Sequence, residues 1–241
     1  MADISVVVPV YNEAESVAQL QAELRDSLQA YTHEIIFVDD GSTDGTAGRV
    51  ERDGTARVLA FPENSGQSAA MYAGLRAARG RVLVLIDGDL QNDPADIPRL
   101  LTEIEQGADL VCGYRVHRKD TWFKRAQSRL ANAVRSRFVG DGVRDTGCTL
   151  KAMRADCREA LVPFYGMHRF IPALVKGFGY KVVEVPVNHR PRTHGVSKYR
   201  FGNRAVRATL DMFGVRWLLS RQLRIRLKPE KSARLSPLNE G

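Results

Sequence analysis

The residues best suited to chemistry in this 241-residue sequence are two aspartates separated by one glycine, Asp87-Gly88-Asp89, directly after the apolar run Arg81–Ile86. Two carboxylates two residues apart at the end of a strand can share one hard divalent cation, and Gln91 adds a neutral oxygen at the next alternate position. A cation there could bridge the two phosphates of a nucleotide sugar and offset the charge on a departing diphosphate. A solvated acidic turn is the alternative interpretation.

Two further polar segments follow apolar runs. In one of them, Asp40 could accept hydrogen bonds from a base N–H or a ribose hydroxyl. Helix capping is the other role open to that turn, through Ser42, Thr43 or Asp44. In the other segment, Tyr11 could stack on a base and Glu13 could bond the base edge. The alternative for Glu13 is a favourable acid in the first turn of a helix.

Apolar runs alternate with segments of helical spacing through the first half of the chain. Strands are predicted over Ile4–Val10, Glu34–Asp39, Arg57–Phe61, Arg81–Ile86 and Asp109–Cys112. Helices are predicted over Glu13–Ala30, Ser65–Arg79 and Pro94–Gln106. This alternation is typical of an open, doubly wound parallel sheet, in which ligands bind at the carboxyl ends of the strands. We therefore expect the three polar loops to converge at one edge of the sheet.

The second half of the chain is less regular. One helix face is predicted from Phe123, Ala126, Leu130, Val134 and Phe138, strands over Thr146–Met153 and Lys181–His189, and a helix over Asn203–Leu227. Residues 228–241 have the composition of a disordered tail. Because no internal repeat or linker is visible, we predict one domain over residues 1–200, extended by a basic amphipathic helical segment at 201–227.

Positive charge is concentrated towards the end of the chain. The net charge is +8, and residues 203–234 carry nine Arg or Lys against two acids. This excess predicts an anionic partner such as phosphate, a lipid headgroup or nucleic acid. No apolar run approaches the roughly 20 residues that span a bilayer, so we expect any membrane contact to be peripheral. Three widely spaced cysteines and a first strand without signal-peptide features favour a reducing cytoplasm.

Several blocks of the sequence together carry a family resemblance. They are PVYNE at 9–13, VDDGSTDGT at 38–46, NSGQ at 64–67, DGDLQNDP at 87–94, DTGC at 145–148 and HGVSKY at 194–199. The chain resembles the family-2 glycosyltransferases with the GT-A fold, and within them the polyprenyl-phosphate sugar transferases of the dolichyl-phosphate mannose synthase type. The resemblance extends from about residue 3 to residue 200.

The resemblance implies an α/β fold of GT-A type, a Rossmann-like, open, mostly parallel sheet flanked by helices, with C-terminal amphipathic helices. Motif by motif, it assigns nucleoside contacts to Pro9, Tyr11, Glu13, Val38 and Asp40. It assigns further donor contacts to Gly66, Gln67, Asp87 and Gly88, and a Mg²⁺ or Mn²⁺ site to Asp87, Asp89 and Gln91. Gly88 departs from the alanine that usually separates the two aspartates, which changes backbone freedom more than ligand chemistry.

The resemblance also implies residues near the acceptor and the leaving diphosphate. Arg115 with Arg125, or with Lys124 or Arg129 in its place, resembles residues that hold a lipid phosphate. Ser197 and Lys198 resemble a clamp over the diphosphate, with Arg190 and Arg192 as further candidates. The family counterpart of Asp145 lies beside the acceptor. There it could orient the phosphate, act as a base, or form a structural ion pair with Arg144 or another arginine.

The implied activity is inverting transfer of a hexose from GDP-mannose or a UDP-sugar to undecaprenyl or dolichyl phosphate, at the inner face of a membrane. A lipid phosphate is already ionised at pH 7, so positioning and electrostatic stabilisation matter more than a strong base. The helix Asn203–Leu227 would place its apolar face on lipid, with its arginines at the headgroups; that face carries Val206, Leu210, Phe213 and Trp217. The alternatives are a helix packed on the core or against a dimer partner.

Three other functions compete with this interpretation of the sequence. A family-2 transferase with a hydroxyl acceptor shares the donor site but needs a base, which would make Asp145 indispensable. The basic segment would also suit a nucleic-acid-binding protein, but aromatic-rich basic strand motifs and zinc fingers are missing from the sequence. A dinucleotide-dependent oxidoreductase would need G-x-G-x-x-G after the first strand, and PVYNEAES lacks it.

Overall fold

The computed structural model describes residues 3–116, 135–191 and 204–221, with side chains in the last range from Thr209 onward. Seven strands form one sheet in the order β3-β2-β1-β4-β6-β5-β7. Their bounds are Ile4–Val10 (β1), His33–Asp39 (β2), Ala56–Ala60 (β3), Val82–Leu85 (β4), Leu110–Arg115 (β5), Lys151–Arg154 (β6) and Val182–Val187 (β7). Neighbouring strands are parallel except at β6, which is antiparallel to both β4 and β5. The prediction of an open, mostly parallel α/β sheet is confirmed.

Helices cover both faces of the sheet. They are Val17–Ser27 (α1), Gln67–Ala77 (α2), Ile97–Glu105 (α3), Ile171–Gly177 (α4) and Arg204–Ser220 (α5), with residues 135–139 also helical. Because side chains alternate along a strand, Val6 and Val8 of β1 pack in one core with α1 and α3. Val7 points to the other face and packs in a second core with α2, α4 and α5. The molecule is therefore a three-layer arrangement with two cores.

Several element boundaries differ from the sequence-based expectation. Helix α1 begins at Val17 and not at Glu13, because the amides of Glu13 and Ala14 are bound by the side chains of Thr46 and Asp44. Strand β6 begins only at Lys151, since residues 146 and 147 form a turn. The three cysteines are buried free thiols, as their spacing predicted.

The end of the chain is described in part. Helix α5 lies within the predicted Asn203–Leu227 helix, and the predicted tail at 228–241 is outside the described residues. Most of the helix predicted around Phe123 is also outside them, whereas Phe138 contacts Phe213 edge to face with ring centroids 4.9 Å apart. Within the ranges that the structure describes, no helix has the length and apolarity needed to cross a membrane.

Parallel register places the ends of β1, β2 and β4 at one edge. Val10, the last residue of β1, pairs with Asp39, the last residue of β2, and its carbonyl accepts a hydrogen bond from the Asp40 amide at 2.9 Å. Directly after β4, the Ile86 amide donates to the Val7 carbonyl at 3.2 Å. The polar loops that follow these strands therefore start side by side, which confirms the predicted convergence.

Candidate active site

A cavity of about 800 Å³ lies at the carboxyl-terminal edge of the sheet. Ten of the residues predicted to bind a donor or a cation line it together: Pro9, Tyr11, Glu13, Asp40, Gly66, Gln67, Asp87, Gly88, Asp89 and Gln91. The loops that carry these residues follow β1, β2 and β4 or lead into α2. The volume is in the range of pockets that enclose small-molecule ligands.

Asp87 is held on both carboxylate oxygens. Its Oδ1 accepts a hydrogen bond from the Gln67 amide group at 2.8 Å, and its Oδ2 accepts one from the Thr149 hydroxyl at 2.5 Å. Burial, together with the neighbouring charge of Asp89, raises the pKa of Asp87 to about 6, although both hydrogen bonds and Lys151 favour the ionised form. The carboxylate is therefore fixed in direction and carries charge that the surrounding protein does not fully compensate.

Asp89 and Gln91 form a tight turn after the first aspartate. The Gln91 amide donates to Asp89 Oδ1 at 3.1 Å, and Leu90 between them has φ of 61°, in the left-handed region. Two nearby carboxylates and a neutral amide oxygen are the hard oxygen ligands that Mg²⁺ and Mn²⁺ take, usually with substrate phosphates completing the coordination. In the described part of the chain, no three His, Cys, Asp or Glu side chains cluster as a full protein ligand set. The donor set fits a cation shared with a phosphorylated substrate.

Gly88 is explained by packing. A Cβ atom at this position would lie 2.6 Å from Val10 Cγ1 and 3.3 Å from the Pro9 carbonyl oxygen. Both atoms belong to the end of β1, and Val10 is buried. The departure from the usual alanine therefore corresponds to a close approach between the Asp87–Asp89 turn and β1, and not only to backbone freedom.

Asp40 fixes the entry to α2. Its carboxylate accepts hydrogen bonds from the Ser65 amide at 2.7 Å, the Gly66 amide at 2.9 Å and the Asn64 side chain at 3.0 Å. Burial raises the pKa of Asp40, although these amides favour the ionised form. Asp40 also lines the cavity, and its contact with a nucleoside stays a prediction. In this structure its carboxylate oxygens accept hydrogen bonds from the loop before α2.

The loops after β1 and β2 are bonded to each other. Ser42 Oγ accepts from the Asn12 amide, and Asn12 Oδ1 accepts from the Thr43 amide, both at 2.8 Å. Asn12 itself adopts φ of 52°. Asp44, one of the residues predicted to cap a helix, accepts from the Thr46 amide at 3.0 Å, but the N-cap residue of the short 3₁₀ helix that begins there is Gly45, which has no side chain to cap it. This network holds Tyr11 and Glu13 at the cavity wall.

Other predicted residues lie away from the cavity lining. Val38 is fully buried in the second core beneath α2. Asp145 forms a two-point ion pair with Arg115, whose Nε and Nη2 donate at 2.7 and 2.9 Å. An ion pair with an arginine was one of the roles open to Asp145, and Arg115 is that arginine, whereas a role of Asp145 beside the acceptor stays a prediction. Arg125, Lys124, Arg129, Arg192, Ser197 and Lys198 lie outside the described residues.

Arg190 lies beside the turn that carries Asp89 and Gln91. Its amide donates to the Gln91 carbonyl at 2.9 Å, and its guanidinium pairs with Glu23 at 2.6 Å and Asp93 at 2.7 Å. Arg190 therefore anchors the chain beside the two aspartates, immediately before the segment that contains Ser197 and Lys198. These contacts anchor Arg190 within the protein, and its contribution to the diphosphate clamp stays a prediction.

The structure adds cavity residues that sequence reasoning did not single out. They are Thr146, Gly147, Thr149, Lys151, His168, Arg169 and Ile171, among others. Thr149 lies two residues before Lys151, the first residue of β6, a period-2 spacing that could have suggested one shared face. His168 and Arg169 belong to a short 3₁₀ helix, Met167–Arg169, for which hydrophobic periodicity gives no signal.

Comparisons with known proteins agree with the resemblance seen in the sequence motifs. The model of the Glycosyl transferase family 2 matches residues 5–161. A dodecaprenyl-phosphate galacturonate synthase from Rhizobium johnstonii is 42% identical over 228 residues, which are 90% of this chain and 67% of that protein. An undecaprenyl-phosphate 4-deoxy-4-formamido-L-arabinose transferase from Edwardsiella ictaluri is 39% identical over 81% of this chain and 62% of that protein. The chain thus spans about two thirds of the length of these relatives.

A solved structure shares the fold. Glucosyl-3-phosphoglycerate synthase from Mycobacterium tuberculosis, in complex with Mn²⁺, uridine diphosphate and phosphoglyceric acid, aligns with a TM-score of 0.63. The alignment covers 91% of this chain and 76% of that chain at 21% identity. It confirms the GT-A fold class that the motif resemblance implied.

Proposed function

The chain belongs to glycosyl transferase family 2, and from that premise we propose that it transfers a sugar from a nucleotide-diphosphate donor to a polyprenyl phosphate, with Mg²⁺ or Mn²⁺ as cofactor. The observation that carries the proposal is the joint placement of Asp87, Asp89 and the nucleoside-side residues around one cavity. The two relatives named above differ in the sugar that they transfer and share a polyprenyl phosphate. The acceptor is therefore the better supported half of the reaction.

The donor would lie along the strand ends. Tyr11 and Glu13 after β1, with Asp40 after β2, would receive the nucleoside, and the Asp87-Gly88-Asp89 turn after β4 would receive the diphosphate. A bound cation would supply positive charge to the leaving diphosphate. Gln67 and Thr149 hold Asp87 in direction, so little reorganisation is needed on binding.

The acceptor phosphate needs positioning more than proton removal. Its oxygen is ionised at neutral pH, and a single in-line displacement by that oxygen would invert the anomeric centre. The pairing of Asp145 with Arg115 supports a phosphate acceptor over a hydroxyl acceptor, because Asp145 is then a positioning group for Arg115. Arg115 and Arg125 remain the predicted phosphate ligands, and Ser197 with Lys198 the predicted diphosphate clamp.

The anchoring of Arg190 supports that clamp. The chain enters the segment containing Ser197 and Lys198 from beside the Gln91 carbonyl, next to the predicted diphosphate position. The nucleic-acid-binding alternative finds no support at this edge, because the carboxylates of Asp87 and Asp89 would repel a phosphate backbone.

We also propose that α5 touches the membrane that carries the acceptor. One side of the helix packs on the second core through Val215, with Met212 and Leu218 beside it. The other side exposes Leu210 and Trp217, each with 64% of its surface accessible. An exposed apolar strip flanked by arginine is typical of an interfacial helix. The inner membrane face stays the predicted location.

The test is a transfer assay with two acceptors. Purified protein with Mg²⁺ or Mn²⁺ is incubated with a panel of radiolabelled nucleotide sugars and either a polyprenyl phosphate or the corresponding polyprenol, and the lipid phase is extracted. We expect label in the lipid phase when polyprenyl phosphate is the acceptor and no label when polyprenol is the acceptor. Transfer to polyprenol at the same rate would support the hydroxyl-acceptor alternative, and label in neither lipid would contradict the proposed acceptor.

A further inference from the structure

One wall of the cavity is built by the short helix Met167–Arg169 and is held firmly by the protein. Met167 and the following Phe170 are fully buried in the second core. Between these two apolar anchors, His168 and Arg169 are turned to the cavity and line it. The fixed backbone gives both side chains a defined direction, as recognition of a small polar group requires.

Ser68 in the first turn of α2 orders this wall. Its hydroxyl oxygen accepts a hydrogen bond from the Gly166 amide at 3.0 Å and lies 2.8 Å from His168 Nδ1. The Ser68 hydroxyl can donate its hydrogen to Nδ1, and the neutral imidazole then carries its own hydrogen on Nε2. In that tautomer, His168 is a hydrogen-bond donor on its side facing away from Ser68.

The wall adjoins the metal-binding turn. Gln67, which bonds Asp87, directly precedes Ser68, which holds His168. A donor that runs from the nucleoside loops through a diphosphate at Asp87 and Asp89 must place its sugar beyond β4. The next strand there is β6, which brings Lys151, and the short helix of His168 and Arg169 leads directly into α4, which packs on β5 and β7. The sugar, and not the nucleoside, is therefore the nearest part of the donor to this wall.

The cavity contains side chains of both charges. Glu13, Asp87 and Asp89 line it together with the cationic or donor side chains Lys151, His168 and Arg169. Lys151 is almost fully buried and donates to the Cys148 carbonyl, so Arg169 is the more accessible of the two permanent cations. A neutral sugar would present only hydroxyls to these groups, but a carboxylate matches the planar fork of an arginine with two parallel hydrogen bonds.

We infer that His168 and Arg169, ordered by Ser68, bind the carboxylate of the donated sugar, so that the substrate is a nucleotide-diphosphate hexuronic acid. This inference rests on the proposed function for the position of the donor. It goes beyond it by naming the class of sugar. Asp211 of α5 and the Arg169 guanidinium both approach Gly166, since a Cβ atom there would lie 2.9 Å from Asp211 Oδ2 and 3.8 Å from Arg169 Nη2, and the five N–H donors of an arginine allow it to serve a neighbour and a ligand together.

The test compares donors that differ only at C6. Calorimetric titration in Mg²⁺ uses three matched pairs: UDP-galacturonate with UDP-galactose, UDP-glucuronate with UDP-glucose, and GDP-mannuronate with GDP-mannose. We expect at least one acid to bind about ten-fold or more tightly than its neutral partner. Arg169→Gln should weaken the acid by about ten-fold and change the neutral partner by less than about two-fold.

Two further variants separate recognition from general damage. Ser68→Ala frees His168 and should reduce the acid-over-neutral ratio by about two- to five-fold, with an unchanged affinity for the neutral partner. Arg76→Gln is the matched control, since Arg76 is an exposed arginine on α2 that pairs with Glu159. We expect it to leave both affinities unchanged. A ratio that stays constant in a folded Ser68→Ala protein would contradict the role of His168.

Other outcomes would overturn the inference. Equal binding of acid and neutral donors by the unaltered protein contradicts it, as does equal weakening of both by Arg169→Gln, which would assign Arg169 to the diphosphate. A rise in the KM for polyprenyl phosphate alone would assign Arg169 to the acceptor. Binding needs no acceptor, so a retained acid preference without lipid transfer would contradict only the proposed function.

Discussion

A side chain at position 88 would overlap with the side chain of Val10 at the centre of the site. The built Cβ position of residue 88 lies 2.6 Å from Val10 Cγ1, far inside van der Waals contact. Val10 is β-branched and 3% exposed, so its side chain cannot rotate away without a new clash. Any larger residue at 88 must therefore move the turn that carries Asp87 and Asp89.

Gly88→Ala should lower stability by about 1–3 kcal/mol and weaken cation-dependent binding of nucleotide by about ten-fold. Val10→Ala in the same protein removes the clashing methyl and should restore most of both losses. The measurement is a double-mutant cycle of the four proteins by denaturant unfolding and calorimetry. We expect a coupling energy of at least about 1 kcal/mol, and additive effects would contradict the contact.

Asp87 makes the stability of the metal-free protein depend on pH. Its pKa is raised by burial and by Asp89 from 3.8 to about 6, so the folded protein holds this proton more tightly than the unfolded chain does. The stabilisation from the protonated form is complete below about pH 4 and is lost as pH rises through 6. Since one pKa unit corresponds to about 1.4 kcal/mol, the loss is up to about 3 kcal/mol.

Asp87→Asn should remove this dependence, because a neutral amide resembles the protonated acid. In the presence of EDTA, the variant should gain stability relative to the unaltered protein as pH rises from 4 to 7. Denaturant unfolding at several pH values measures the difference. A constant difference over this range would show that Asp87 does not titrate near 6, and Asp156→Asn, an exposed acid at the opposite edge, is the control.

At the scale of elements, α5 has two apolar sides with different surroundings. Val215 is 2% exposed within the second core, whereas Leu210 and Trp217 are 64% exposed. Phe213 lies between them and contacts Phe138. The sequence predicted Leu210, Phe213 and Trp217 on one face of a helix, and the structure confirms that face. The core-facing side was one of the stated alternatives and is confirmed, whereas the membrane contact of the exposed side stays a prediction.

Leu210→Ser combined with Trp217→Ser tests the membrane contact. Flotation with vesicles of phosphatidylglycerol and phosphatidylcholine should show a loss of binding of about ten-fold, because two large apolar side chains no longer enter the interface. The midpoint of unfolding should change little, since both residues are exposed. Phe178→Ser, which removes a 48% exposed aromatic residue from the end of α4, should float like the unaltered protein.

Unchanged flotation of the Leu210 and Trp217 variant would remove α5 from the membrane model. Phe213 is left in place in this design because its contact with Phe138 is structural. A loss of binding accompanied by a lower unfolding midpoint would also count against a purely interfacial role of the strip.

At the scale of the whole molecule, the sheet order explains what the sequence could predict. The apolar runs of β1, β2 and β4 end in acidic motifs, and parallel strands bring such ends together, so the cavity residues from Tyr11 to Gln91 were predictable. The antiparallel β6 lies between β4 and β5, and no local sequence pattern predicts that position. Thr149 and Lys151 enter the cavity through it and were missed for that reason.

Side-chain pairing was equally hard to predict. The Arg115–Asp145 ion pair joins residues 30 positions apart across β5 and a turn, and the sequence offered Arg144 as an equally good partner. His168 reaches the cavity only because Ser68 of α2 holds it from 100 positions away. Such contacts depend on the packing of α2 against the second half of the chain, which periodicity does not describe.

The most direct test of the central claim is cation-dependent binding of a sugar nucleotide at the Asp87–Asp89 turn. Binding is measured by calorimetry with the nucleotide-sugar panel, with and without Mg²⁺, and turnover by the lipid-transfer assay. Both measurements are made on the unaltered protein, Asp89→Asn and the control Asp156→Asn. We predict that Mg²⁺ strengthens binding and that Asp89→Asn abolishes turnover and loses about 100-fold of that gain while remaining folded. Retention of the full Mg²⁺ effect and near-normal turnover in Asp89→Asn would contradict the account.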